Sequence, residues 1–124
     1  MRFIILVLLM SSNSYSFEVE IKKGLPWNKI SVNKDMAHIK GAEVNMKIDS
    51  TDCSRDLVEE FEGKLESSFQ NSPKVLATKE AEIIYVIEGK EYQATRKSPL
   101  GQFLIQQPRI FQSMKVKEKF RKCL

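Results

Sequence analysis

Four apolar side chains spaced by four residues, Leu57, Phe61, Leu65 and Phe69, constrain the fold more than any other feature of this 124-residue chain. Residues four apart share one face of a helix, and Val58 beside them widens the stripe to about 120°. The opposite face carries Glu59, Glu60, Glu62 and Glu66. The segment from about 54 to 70 therefore reads as an amphipathic helix, one side against a core and the other in water. Asp49, Ser50, Thr51 and Asp52 supply candidate N-caps, Asp56 suits the positive end of the helix dipole, and Asn71-Ser72-Pro73 ends the run.

A helix with one apolar stripe needs a second layer to bury it. Residues 17–22 alternate, with Phe17, Val19 and Ile21 on one face and charges on the other, and 43–48 alternate with Val44, Met46 and Ile48 inward. Residues 74–78 form a short β-like segment. Ile83 to Ile87 are apolar without a break, which suits a central strand covered on both faces. Gly89 marks a tight turn into a return strand over 92–95. The stretch 24–41 shows no sustained period and reads as loop, with one helical turn near 35–39. Ser98-Pro99-Leu100-Gly101 reads as a break before a mainly helical segment, 102–124, interrupted at Pro108. In its second half Ile110, Met114, Val116, Phe120, Cys123 and Leu124 share one half of the helical wheel. The expected fold is a small α+β domain: an antiparallel-rich sheet of four or five strands, the 54–70 helix packed on it, and a basic C-terminal helix.

The N-terminus has a different character. Arg2 precedes an unbroken apolar run from Phe3 to Met10, and Ser14-Tyr15-Ser16 places small residues at −3 and −1 for a cut before Phe17. That is the layout of a secretory signal peptide; eight apolar residues are too few for a span, which needs about 20. Residues 1–16 are thus expected to be removed, leaving 17–124 as one domain in the periplasm or outside the cell. An exported chain with two cysteines, Cys53 and Cys123, is expected to bridge them. Closing a loop of about 70 residues stabilises a fold by roughly 4 kcal/mol in the chain-entropy model.

Charge is distributed unevenly. Residues 17–95 carry 11 Lys and Arg against 15 Asp and Glu, whereas 96–124 carry eight basic residues against Glu118 alone. The basic segment, with Lys115, Lys117, Lys119, Arg121 and Lys122, either pairs with the acidic face of the 54–70 helix or meets an external anionic partner. Export argues against nucleic acid as that partner. Trp27, the only tryptophan, sits in the expected loop and either anchors a partner or folds back over the core.

No residue set points to catalysis, a metal or a cofactor. His38 stands alone, without the nucleophile a triad requires. The helix carboxylates are expected in water, and no phosphate-cradling glycine loop or calcium loop is present. The reading that follows is a non-enzymatic exported binding module, of the inhibitor, immunity or secretion-assembly type, whose partner is another exported or envelope protein. An envelope-surface binder using the basic segment on anionic lipid or cell-wall polymer is the alternative. A small hydrolase assembled from scattered carboxylates is the third.

Overall fold

Alternation sets the strands and the helices cover one side of them. The computed structural model describes residues 17–120, and seven strands make one sheet: β1 (Phe17–Lys23), β2 (Lys29–Val32), β3 (Met36–Lys40), β4 (Asn45–Asp49), β5 (Val75–Leu76), β6 (Ile83–Ile87) and β7 (Lys90–Ala94). Their order is β4-β3-β2-β1-β6-β7-β5, and every neighbouring pair is antiparallel. Three helices complete the described residues: α1 (Arg55–Gln70), α2 (Pro99–Ile105) and α3 (Gln107–Phe120). The fold is a small α+β domain.

The sheet has seven strands rather than four or five, and most of the difference lies in residues 24–41. That stretch is a hairpin and not a loop, and the helical turn expected near 35–39 is strand β3. Ile30 and Val32 pair across β2 and β3 with Ile39 and Ala37, all four fully buried. Asn33 turns the chain, its Oδ1 accepting from the amides of Asp35 at 2.7 Å and Met36 at 3.0 Å. Side chains that hydrogen-bond nearby backbone in this way favour turns. Each strand offers only two inward residues, too few for a period of two to stand out.

One cluster forms the core. Val19, Ile30, Val32, Ala37, Ile39, Ile48, Ile83 and Tyr85 from the sheet meet Val58, Phe61, Leu65 and Phe69 of α1, Leu100 and Leu104 of α2, and Phe111 and Met114 of α3. β6 lies inside the sheet between β1 and β7. Its turn into β7 places Glu88 at φ 51° and Gly89 at φ 80°, the paired positive values of a type I′ hairpin.

The segment expected to interrupt the chain before 102 instead starts a helix. Ser98 is the N-cap of α2, its hydroxyl accepting from the Gly101 amide at 3.0 Å, with Pro99 in the first turn. Proline is pre-set for that position and lacks the amide that would go unpaired there. Gly101 is required for close approach: a Cβ there would lie 1.9 Å from the Thr95 carbonyl oxygen. The wheel of α3 is also rotated from expectation. Gln107, Phe111 and Met114 face the core, so Val116 and Phe120 point into solvent, 52 % and 78 % exposed.

Candidate functional site

A concavity opens where β5 and β7 part. Val75 pairs with Gln93 and Leu76 with Tyr92, and the pairing ends there. Residues 71–74 then diverge from the end of β7, and a cleft of about 500 Å³ forms between the last turn of α1, the end of β7 and the start of α2. Ser67, Ser68 and Asn71 line one wall, Gln93 and Thr95 the floor, and Pro99 and Leu100 the far side.

None of the 12 lining residues is ionisable, in a chain where 29% of residues are charged. The lining is serine, threonine, amide and apolar carbon. Part of that polar set is already satisfied. Asn71 Nδ2 donates to Ser67 Oγ at 3.2 Å, the Ser72 hydroxyl donates to the Ser68 carbonyl at 2.7 Å, and Gln93 Oε1 accepts from the Thr78 amide at 2.9 Å. Among the described residues no hydrogen bond engages the hydroxyls of Ser68 or Thr95. Val75 of edge strand β5 lines the cleft and is 47 % exposed; Leu76, the next residue of the strand, is outside the lining and 68 % exposed. An edge strand offers unpaired backbone amides and carbonyls as well as side chains.

A second recess, about 290 Å³, lies between the start of β1 and the β6–β7 turn and carries Glu18, Glu20 and Glu88. Glu18 is held by Lys29 at 3.2 Å and by the Ser31 hydroxyl at 3.2 Å, while Glu20 and Glu88 are exposed. Among the described residues no three of His, Cys, Asp and Glu converge in a metal-binding group.

The residues singled out from the sequence lie elsewhere. Trp27 is fully buried, its Nε1 donating to the Leu104 carbonyl at 2.8 Å, so it fixes α2 to the sheet and presents nothing to a partner. Of the two readings open from the sequence, partner anchor and cover for the core, the structure has the second: a small domain has few large groups to fill its core. His38 is in β3, not a loop, with Nε2 2.6 Å from Asn45 Oδ1 on β4. Lys115 Nζ donates to the Lys47 carbonyl at 3.2 Å and lies 3.5 Å from Glu118. Lys117 and Lys119 are exposed. Among the described residues none of Glu59, Glu60, Glu62 and Glu66 forms an ion pair, so the described lysines of α3 do not neutralise the acidic face of α1. Cys53 is half-buried in the turn before α1; Arg121, Lys122 and Cys123 lie outside the described residues, as does the whole 1–16 segment.

Two pKa shifts are resolved. Burial, and then the neighbouring Tyr92, push the Tyr85 hydroxyl above its ordinary 10.0. The Glu91 carboxylate, 2.6 Å away, raises Lys22.

No family model, curated protein or solved structure matches this chain. The site must therefore be read from its own chemistry. The cleft presents serine and threonine hydroxyls, side-chain amides and apolar carbon. Its surface can accept and donate hydrogen bonds and cover apolar atoms.

Proposed function

We propose that this chain is an exported, non-enzymatic binding module that acts by occupying another exported or envelope protein. The observation that carries the reading is the uncharged cleft beside the two-residue edge strand β5, whose Val75 lines the cleft and whose Leu76 is exposed next to it in the strand. Apolar side chains on an edge strand, next to unengaged hydroxyls, suit an extended peptide segment that adds to the edge and seats alternate side chains in the cleft. Export rests on Arg2, the Phe3 to Met10 run and the Ser14-Tyr15-Ser16 cut site.

A Cys53–Cys123 bridge belongs to the same reading. α3 begins near Trp27, beside Gly41 and the β3–β4 turn. Lys115 then reaches the Lys47 carbonyl, so the helix runs along β4 toward Asp49. The Ser54 hydroxyl donates to the Asp49 carbonyl, which puts the start of α1 at that same end. The described part of α3, which ends at Phe120, thus heads toward the end of the sheet where the turn with Cys53 lies, and this supports the bridge.

The reading is tested by placing a photo-reactive phenylalanine derivative at Leu76 and cross-linking in the producing cell. A discrete protein adduct is expected from position 76, absent from exposed Gly63 and lost when Ser67→Trp fills the cleft. Equal adducts from positions 76 and 63, or an adduct indifferent to Ser67→Trp, would overturn it. Intact mass of the recovered chain checks export: a chain starting at Phe17 is expected, and a chain still carrying residues 1–16 would contradict it.

A further inference from the structure

The outward face of α3 combines apolar side chains with cations in a way the core does not explain. Arg109, Val116 and Phe120 are spaced by seven and four residues and so form one stripe, turned away from Phe111 and Met114. Arg109, Lys115, Lys117, Lys119, Val116 and Phe120 are exposed, while the helix's one carboxylate, Glu118, is half-buried and held by Lys115. Lys117 flanks the stripe on one side and Lys119 on the other, by their 100° steps around the helix. Exposed side chains of this size in water cost free energy without contributing to the fold.

We infer that this face of α3 is a docking surface for an anionic membrane, with Phe120 and Val116 entering the headgroup region and the flanking lysines paired to lipid charge. The charge pattern selects an anionic surface. The shape then selects a bilayer: the stripe is convex and extended, with cations on both sides, and the adjoining groove is only about 180 Å³, with Glu60 set against Lys64 and Lys117 among apolar side chains. Interfacial helices bury a few aromatic and aliphatic groups and let lysine stems reach up to the headgroups. No helix among the described residues is long and apolar enough to cross a membrane, so contact through α3 would be peripheral. Such contact involves α3 alone and does not depend on whether the cleft takes a partner.

A local reporter separates this contact from any contribution of residues 1–16. In a Phe120→Trp variant of the whole chain, buried Trp27 gives a constant background and the introduced indole reports its own surroundings. Vesicles of phosphatidylglycerol and phosphatidylcholine in equal parts should shift its emission to the blue, and brominated lipid should quench it. Phosphatidylcholine alone should do neither. Adding Lys117→Glu and Lys119→Glu should weaken the response by roughly a thousandfold, at about one kcal/mol for each of the four unit charges removed or added. No blue shift at low salt, an equal shift with the neutral vesicles, or a shift produced by soluble polyglutamate and not by vesicles would each overturn the inference; the last would assign the face to an acidic protein.

Discussion

The two ends of the sheet hold the molecule's exposed apolar groups in opposite settings. At the β5 end, exposed Val75 lines a cleft without a single ionisable group, and exposed Leu76 follows it in the edge strand. At the β4 end, Val116 and Phe120 stand among lysines on α3, which packs over β3 and β4. Six strand spacings separate β5 from β4, roughly 29 Å, so both can be engaged at once. They differ in support as well. α3 is nailed to the core by Phe111, whose ring meets Phe61 edge-on at 4.9 Å, and by Met114. β5 is two residues long, pairs only with β7 and buries nothing. A firmly seated helix presents a fixed surface; a weakly held edge strand can adjust to what it meets.

Breaking the support at the α3 end should have the largest effect. Phe111→Ala removes a fully buried ring and leaves a cavity, so unfolding free energy should fall by about 3–5 kcal/mol, measured by chemical denaturation. A loss under about 1 kcal/mol, the size of an average substitution, would mean α3 is not part of the cooperative core. A smaller effect at the β5 end comes from Tyr85, which packs between Phe69 at 5.2 Å and Tyr92 at 5.7 Å. Its folded-state pKa is raised above 10.0, so the folded chain holds that proton more tightly than the unfolded one. The resulting stability is complete below pH 10 and is lost as pH rises through the raised value. Tyr85→Phe should flatten this alkaline decline in denaturation midpoints; an unchanged decline would place its origin elsewhere. The smallest effect is expected for Leu76→Ser, which should change stability by no more than about 0.5 kcal/mol. In hydrogen exchange the amides of Val75 and Leu76 should exchange far ahead of Phe111, and equal protection would erase the contrast between the two ends.

The sequence makes some of this legible and hides the rest for identifiable reasons. The α+β class follows from alternating segments such as Phe17, Val19 and Ile21 beside the four-residue repeat of Leu57, Phe61, Leu65 and Phe69. Strands β2 and β3 stay hidden because two inward residues apiece, among Lys29, Ser31 and His38, carry no visible period. Trp27 stays undecided between partner anchor and core because its hydrogen-bond acceptor, Leu104, is 77 positions away. Val116 and Phe120 read as inward because a helical wheel gives relative angles only; the core chose the face carrying Phe111. The cleft leaves no signal at all. It is assembled from α1, β7 and the α2 N-cap, and its serines, threonine and amides look like ordinary turn residues until the fold brings them together.

Salt dependence tests the contrast most directly. The Leu76 cross-link should be measured with the recovered partner at low salt and near 1 M, where the screening length drops from about 10 Å or more to about 3 Å, alongside vesicle binding by the Phe120→Trp variant. An uncharged cleft predicts an adduct yield that stays level while vesicle binding collapses. An adduct that falls in parallel with vesicle binding would contradict recognition through the uncharged cleft.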